Sequence, residues 1–282
     1  MNTRLSLLPL LTLTSTRIGA LAAQALPTTQ PAYLTIVREE VKLGRGAEHT
    51  RIEAGWPAAF AKAKSPSSYL ALASLTGQDE VWFTIPFASN AAVAEEFKRQ
   101  DADPVLSAEL TRLARADAEV LTGHTVVHAV ARPDLTIGAF PDVARQRFWQ
   151  ITTFRVKPGH RPDFEAAAKA YGAAAQRAET KTSYRVYELI AGAPAPIFFV
   201  FSSVESYAQF DDVRAADDKT AQGLTAEEHA ALQKFSAEGL LSSETDRFRL
   251  DPAMSYVSPE TRAQDPAFWI PKKPIARATT QP

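Results

Sequence analysis

Val41-Lys42-Leu43-Gly44 and Val156-Lys157-Pro158-Gly159 are two copies of one short pattern, set 115 positions apart in a chain of 282 residues. The same offset, without a gap, relates three further residues in each half: Ser68, Tyr69 and Gly77 to Ser183, Tyr184 and Gly192. Separate matches in one register indicate a duplicated unit of roughly a hundred residues. The chain is therefore expected to contain two similar halves.

Each half begins with a predicted strand and an amphipathic helix. Residues 33–41 and 148–156 are rich in β-branched and apolar side chains and end at glycine-containing turns, which is typical of strands. The period then changes from two to 3.6, so an apolar stripe follows one helix face. The stripe consists of Ile52, Trp56, Ala59, Phe60 and Ala63 in the first half, and of Phe164, Ala167, Ala168, Tyr171, Ala174, Ala175 and Ala178 in the second.

A hairpin, a second helix and a last strand complete each half. The hairpins are predicted over residues 69–87 and 184–201, and the last strands over 124–131 and 245–250. The second helix is bounded by Ser107 and Gly123 in the first half, and by the capping-box pair Thr225 and Glu228 and by Gly239 in the second. Strand, helix, hairpin, helix, strand is the order of a ferredoxin-like βαββαβ unit.

Such a unit covers one face of its sheet with helices and leaves the other face bare. We therefore predict an α+β fold in which two ferredoxin-like repeats, residues 32–131 and 148–250, pack sheet to sheet as a pseudo-dimeric α/β barrel. Residues 132–147 form a linker, and residues 251–282 form a proline-punctuated tail. The aromatic Phe268 and Trp269 are expected to anchor that tail in a surface groove.

The composition excludes several classes of function. With 45% hydrophobic and 22% charged residues the chain is globular, and its net charge of -1 lacks the basic excess that nucleic acid or an anionic membrane surface requires. The absence of cysteine excludes disulfides, thiolate metal sites and a cysteine nucleophile. The sequence also has no phosphate-binding Gly-Lys-Ser/Thr loop and no G-x-S-x-G elbow.

Residues 1–25 have the order of a secretory signal peptide. A short cationic start that includes Arg4 precedes an apolar stretch, and Ala23-Gln24-Ala25 provides a small-x-small cleavage site. We expect a periplasmic or secreted protein with no membrane-spanning segment after the signal is removed. Because Arg17 interrupts the apolar region, an ordinary N-terminal extension or a misassigned start is the alternative.

The strand, the Val-Lys-x-Gly turn and the amphipathic helix resemble the start of dimeric α/β-barrel proteins, which include antibiotic-biosynthesis-monooxygenase-like and NIPSNAP-like domains. The resemblance covers residues 32–131 and 147–250, and Tyr184–Glu188, Gly192 and Phe198–Phe201 also fit it. It implies a fold shared by cofactor-free monooxygenases, haem-binding or haem-degrading enzymes, isomerases and proteins without an assigned activity.

Haem-degrading members of that superfamily carry an asparagine on the first strand. The only asparagines here are Asn2 and Asn90, and neither lies on a predicted first strand. The resemblance therefore argues against haem degradation, and we predict no cofactor.

Nine residues are candidates for binding a small molecule, and none has an assigned catalytic role: Arg38, Glu40, Trp82, His124, His128, Trp149, Arg155, Tyr187 and Phe199. The two histidines have H-x-x-x-H spacing on a predicted strand, where four residues span about 13 Å. One zinc ion holds each ligand at about 2 Å, so this pair does not predict a metal site.

The other candidates are interpreted from strand alternation. Arg38 and Glu40 correspond to Thr153 and Arg155 at the repeat offset, and all four would face the space between the sheets. Glu40 and Arg155 would then form an inter-repeat ion pair or would orient a ligand.

The aromatic candidates form either the wall of a ligand cavity or ordinary core. His49 and His160, near the helix starts, are expected to be solvated surface residues.

We therefore expect a protein that binds a small apolar or aromatic molecule between its two repeats. A cofactor-independent monooxygenase or isomerase acting in the same cavity is the first alternative. A structural or interaction protein with a filled barrel is the second.

Overall fold

The computed structural model describes residues 25–194 and 196–270, so most of the predicted signal peptide and the last twelve residues lie outside the described part. The strands are β1 (Tyr33–Val41), β2 (Tyr69–Ser74), β3 (Glu80–Phe87), β4 (Leu121–Ala131), β5 (Phe148–Val156), β6 (Arg185–Ala191), β7 (Ile197–Val204) and β8 (Leu240–Tyr256). The helices are α1 (Gly46–Glu53), α2 (Gly55–Lys62), α3 (Asn90–Asp101), α4 (Pro104–Ala118), α5 (Arg161–Arg177), α6 (Phe210–Gln222), α7 (Ala226–Lys234), α8 (Pro259–Gln264) and α9 (Pro266–Trp269).

The eight strands form one closed antiparallel barrel with the order β1-β3-β2-β8-β5-β7-β6-β4. Each repeat contributes four neighbouring strands, and two seams join the repeats through backbone hydrogen bonds. At one seam β2 pairs with β8, with Leu72 opposite Leu250; at the other β4 pairs with β6, with Ala129 opposite Leu189. The predicted α+β fold and pseudo-dimeric barrel are confirmed, and closure removes every free sheet edge.

The centre of the barrel is filled by apolar side chains that alternate inward along the strands. Trp82 packs against the rings of Phe199 and Phe248 at 5.4 Å each. The surrounding core residues, all buried, are Leu34, Ile36, Leu70, Leu72, Val127, Ala129, Ile151, Tyr187, Leu189, Ile197, Phe201 and Leu250. The helices of each repeat pack on the outer face of its own sheet, where two further apolar clusters form.

Several boundaries differ from the prediction. Ser107 lies inside α4, which begins after Asp103, because the Asp103 carboxylate accepts from the amides of Val105 and Leu106 and Pro104 occupies the first helical position. Gly123, expected to stop that helix, lies within β4. The capping box of Thr225 and Glu228 is confirmed at the start of α7.

The first helix and the last strand also differ from expectation. The apolar stripe of the first repeat is divided between α1 and α2, whereas the matching α5 is continuous. Strand β8 continues beyond residue 250 to Tyr256, into the segment predicted to be tail, across a register shift in its pairing with β2.

The end of the described chain is anchored as expected. Trp269 is 1% exposed, and its indole Nε1 donates to the carbonyl of Ala144 in the linker at 3.2 Å. The guanidinium of Arg147 lies 3.8 Å from the centre of the Phe268 ring, while Ile270 is exposed. Within the described ranges, no helix has both the length and the apolar character needed to cross a bilayer.

The repeated glycines lie where the two repeats meet. Gly77 and Gly192 both have positive φ angles, +75° and +101°, in the tips of equivalent hairpins. A Cβ on Gly77 would lie 2.3 Å from a carboxylate oxygen of Asp246 on β8, and one on Gly192 would lie 2.4 Å from the carbonyl oxygen of Val126 on β4. Each hairpin tip therefore packs against the last strand of the other repeat, and the second contact is with the backbone.

We predict that Gly192→Ala lowers the free energy of unfolding by about 2–3 kcal/mol, because it adds a backbone collision to the strain of a positive φ. Gly44→Ala is the matched control, since Gly44 also has a positive φ but no atom within 4 Å of its virtual Cβ; the expected loss is about 1 kcal/mol. Urea unfolding followed by circular dichroism measures both. Equal losses would contradict a tight contact at the seam.

Candidate functional site

A cavity of about 940 Å³ opens beside one end of the barrel and extends into the second repeat. Its lining residues fall into two groups, according to which face of the sheet they occupy. The mouth lobe lies inside the barrel end and includes Leu26, Leu34, Leu70, Pro86, Phe140, Val143, Trp149, Tyr187 and Phe201. The layer lobe lies between the sheet and the helices of the second repeat and includes Phe154, Phe164, Tyr171, Tyr184, Val200, Val213, Leu232 and Phe235.

Arg185 is the charged residue that the fold places beside the mouth lobe. It is 8% exposed, and its Nη2 lies 2.7–2.8 Å from the carbonyl oxygens of Ile137, Gly138 and Ala139 and from Ser183 Oγ. Its Nε has no acceptor, and among the described residues no carboxylate oxygen lies within 4.0 Å of the guanidinium. Burial lowers the pKa of Arg185. An arginine side chain nevertheless stays charged at neutral pH, so Arg185 is a buried cation whose described partners are all neutral.

A second donor without a partner faces the same lobe. Trp149 is half-buried at the edge of the barrel core, and its buried indole Nε1 has no acceptor within the described part of the chain. Strand β7 lies between the two strands that carry Trp149 and Arg185. A buried donor without an acceptor costs free energy. An oxygen atom of a ligand in the mouth lobe would satisfy either donor.

The layer lobe carries a pair of phenols and a carboxylate. The Tyr171 hydroxyl donates to Asp217 Oδ1 at 2.6 Å, and the Tyr171 and Tyr184 rings lie 6.2 Å apart. Burial, with the Asp217 charge, raises the pKa of Tyr184 to about 12 and also raises the pKa of Tyr171. Both phenols therefore stay protonated at neutral pH, and the rest of this lobe is mostly apolar.

Comparison with known proteins identifies this architecture by structure alone. No protein-family model matches the sequence, and no curated protein matches it. An anthrone oxidase-like protein superposes with a TM-score of 0.52 at 13% identity, covering 80% of this chain and 94% of that protein. A candidate monooxygenase of Fusobacterium nucleatum gives 0.50 at 10% identity, covering 79% and 94%. A mutant chlorite dismutase of Candidatus Nitrospira defluvii gives 0.49 at 11%, covering 80% and 94%.

The fold is that of a dimeric α/β barrel. In this chain both halves of the α/β barrel come from one polypeptide, because the four strands of the first repeat pair with the four strands of the second at two seams of a single closed sheet. The resemblance inferred from the Val-Lys-x-Gly turns is thereby confirmed at the level of fold.

The α/β barrel places Arg38 at the end opposite the mouth lobe. Its Nη2 donates to Glu80 Oε2 at 2.8 Å, and its guanidinium lies 4.4 Å from the centre of the Trp82 ring. Trp82 is 3% exposed, and its own Nε1 has no acceptor among the described residues. Arg38 therefore packs on the buried core at this end of the barrel and does not face the cavity.

The expected inter-repeat ion pair between Glu40 and Arg155 is wrong. Glu40 is exposed beside Gly123 near the end of β1, and Arg155 is half-buried on β5. Neither side chain takes part in a salt bridge within the described residues. Both lie near the strand ends, where water solvates a charge more cheaply than a buried partner does.

His124 and His128 lie on the outer face of the first repeat's sheet, in register with Glu39 and Thr35 on β1. His124 is exposed, whereas His128 is half-buried, with Nδ1 3.1 Å from Thr35 Oγ1 and its ring 5.5 Å from that of Tyr33. The two histidines thus have separate surroundings and do not converge on one point.

Tyr187 and Phe199 belong to the packed core. They are 3% and 2% exposed, and the Phe201 ring packs edge-on against both, at 5.7 and 6.3 Å. Of the four aromatic candidates, Trp149 and Tyr187 line the cavity, while Trp82 and Phe199 fill the barrel centre.

The expectation that His49 is solvated is wrong. His49 is 1% exposed, and its Nε2 lies 2.8 Å from Glu39 Oε2 on β1. Glu53, one helical turn later, is 3% exposed; burial and the charges of Glu39 and Asp117 raise its pKa to about 10. The sequence did contain a signal for this burial. His49 and Glu53 have i, i+4 spacing and lie next to Ile52 and Trp56, which mark the buried face of the helix.

We predict that Arg185→Gln loosens the linker without unfolding the barrel, because glutamine cannot reach the linker carbonyls that Arg185 contacts. The backbone amides of Ile137 and Tyr184 donate to each other's carbonyls, and their hydrogen exchange should accelerate about tenfold. The exposed Arg249→Gln on β8 is the control. Unchanged exchange in Arg185→Gln would show that the guanidinium does not hold the linker.

Proposed function

We propose that this protein binds a small aromatic or largely apolar molecule that carries a carbonyl or anionic oxygen. One observation carries the proposal: among the described residues, the buried cation of Arg185 has only neutral partners and the indole N–H of Trp149 has no acceptor, and both lie at one apolar cavity. Ligand sites are typically apolar clefts of about 300–1,000 Å³ with a few convergent polar groups. The cavity, counted over both lobes, fits this description.

The proposed binding position is the mouth lobe. The barrel centre between the repeats is packed with Trp82, Phe199 and Phe248, so a ligand enters from the end that the linker and tail border. Phe140 of the linker and Leu26 before β1 contribute to the walls. The sequence predicts binding between the two repeats, and we propose that the ligand lies at the end of the barrel that they form.

Two fluorescent probes of similar shape test the role of the oxygen. We expect 9-anthracenecarboxylate to bind more tightly than 9-methylanthracene, which has no acceptor. Trp149→Phe keeps the aromatic wall but removes the donor, so it should weaken binding of the carboxylate about tenfold and leave the hydrocarbon almost unchanged. Equal binding of both probes by the native protein would contradict the proposal.

Two substitutions distinguish the lobes. Ala139 is exposed at the rim of the mouth lobe, and Ala216 of α6 lines the layer lobe. Ala139→Trp should reduce carboxylate binding at least tenfold, whereas Ala216→Phe should leave it within twofold. The reverse result would move the site between the sheet and the helices. Native mass spectrometry of the purified protein would identify any ligand that it retains.

A cofactor-independent monooxygenase or isomerase is the second candidate, because a cation in an apolar site stabilises a developing oxyanion. The barrel fold shared with an anthrone oxidase-like protein and a candidate monooxygenase makes anthrone a suitable probe. Oxidation of anthrone by one O₂ gives anthraquinone and one H₂O, and an oxygen electrode follows it. An oxygenase would consume O₂ faster than buffer does, and this consumption should be lost in Arg185→Gln and kept in Arg249→Gln. Without O₂ consumption, binding alone is favoured.

Two further parts of the proposal rest on the sequence. Export to the periplasm or medium rests on residues 1–25, and a reporter fused to that segment tests it. The proposal includes no haem, and absorbance near the Soret region checks this point. If neither probe binds and no ligand is retained, the packed barrel centre favours a structural or interaction protein instead.

A further inference from the structure

The outer face of the first repeat's sheet carries a buried polar cluster that the proposed ligand site does not use. We call Glu39, His49, Glu53 and Asp117 the first-repeat cluster. Glu39 comes from β1, His49 and Glu53 lie one turn apart on α1, and Asp117 lies in the last turn of α4. All four are at most 5% exposed, so sheet and helices enclose them.

The donor atoms of the cluster lie close together. One atom each from Glu39, His49 and Glu53 can be chosen so that all three lie within 4.8 Å of one another, and His49 Nε2 lies 2.8 Å from Glu39 Oε2. Ligands of one transition-metal ion lie about 2.0–2.2 Å from it, so two ligands on opposite sides are about 4 Å apart. Glu39, His49 and Glu53 therefore have the dimensions of a single-ion site, and Asp117 lies beside Glu53.

Several polar atoms at the cluster have no partner in the described part of the chain. They are Glu53 Oε1, Asp117 Oδ1 and the hydroxyl of Tyr69, a residue that is 7% exposed. Burial raises the pKa of Tyr69, and the charges of Glu53, Tyr256 and Glu39 raise it further, so its hydroxyl lies near the same carboxylates. Asp117 Oδ2 accepts from Trp56 Nε1 at 3.0 Å, and the Asp117 side chain also lies within hydrogen-bond reach of Glu53.

No described lysine or arginine forms a salt bridge with any of the three carboxylates, and His49 is the one basic group that contacts them. Three carboxylates buried without cations are costly, so they require protons or a bound cation.

The second repeat shows that the fold does not require polar residues at this place. At the offset of 115, Glu39 and His49 correspond to Phe154 and Phe164, whose rings lie 5.4 Å apart. Glu53 corresponds to Ala168, which packs in the same apolar cluster. The offset changes to 119 at the last strands, and the segment before β8 contributes Phe235, whose ring lies 5.4 Å from that of Phe164. The same scaffold position is therefore apolar in one copy and carries Glu39, His49 and Glu53 in the other.

We propose that Glu39, His49 and Glu53 bind one divalent first-row transition-metal ion of the Mn²⁺, Fe²⁺ or Zn²⁺ type, with Asp117 beside Glu53 as a further carboxylate. Carboxylate oxygens together with an imidazole nitrogen, and no sulfur, suit these ions. Trp56 holds Asp117 in place from outside, as hydrogen-bonded neighbours orient the ligands of other metal sites. The site is separate from the mouth lobe, so it stands whether or not the proposed ligand binds there.

Metal content and affinity test the site on the full chain. The protein is unfolded with EDTA, refolded in metal-free buffer, and titrated with ZnCl₂ or MnCl₂ alone, with bound metal measured by mass spectrometry and the melting temperature recorded. We expect one tight equivalent per chain and a higher melting temperature in its presence. Glu53→Gln, which keeps the size of the side chain, should weaken binding at least tenfold.

A fourfold variant uses the second repeat as its template. Glu39→Phe, His49→Phe and Glu53→Ala copy the residues of the second repeat, and Asp117→Leu removes the remaining carboxylate. The variant should hold less than a tenth of an equivalent. The exposed His229→Ala is the control and should bind as the native protein does. No stoichiometric metal in the native protein would overturn the proposal and leave a proton between Glu53 and Asp117. Undiminished binding by Glu53→Gln or by the folded fourfold variant would also overturn it.

Discussion

Backbone pairing between strands of unlike repeats is the constraint on which the rest of the structure depends. A single βαββαβ sheet has two free edges and one bare apolar face, and each repeat satisfies both needs of the other. The β2–β8 and β4–β6 seams close the sheet, and the side chains turned inward then form one shared core. The two hairpin tips with Gly77 and Gly192 have no room for side chains because they lie against those seams.

Much of the fold could be predicted from the sequence, because the same pattern of strands and turns occurs in both halves of the chain. Strands β1 and β5 begin and end where the alternation and turn glycines placed them, and the capping box of Thr225 marks the start of α7. The errors have local causes. An aspartate before a proline was a stronger helix start than Ser107, and the Asp251 side chain accepts from the amides of Ala253 and Met254, which lets β8 continue past Pro252.

Less of the candidate site could be predicted, for a different physical reason. Alternation assigns a residue to a face of the sheet, but it does not tell whether that face is packed, open or lining a cavity. Trp82 and Phe199 therefore belong to the core. The indole Nε1 of Trp149 has no acceptor among the described residues, and Glu40 is exposed to water near the strand end. Arg185 was overlooked because its partners are backbone carbonyls of the linker. Every residue has such a carbonyl, so the residue types do not indicate which ones accept a hydrogen bond.

The contrast between Glu39–His49 and Phe154–Phe164 has a consequence for how such a barrel can change. When two identical subunits build the barrel, any substitution appears in both halves, so the free-energy cost of burying a charge is incurred twice. Fusion into one polypeptide breaks that obligation, and each half can be altered alone while the other preserves the architecture. Asymmetry inside a nearly twofold object is thus the freedom that duplication and fusion provide.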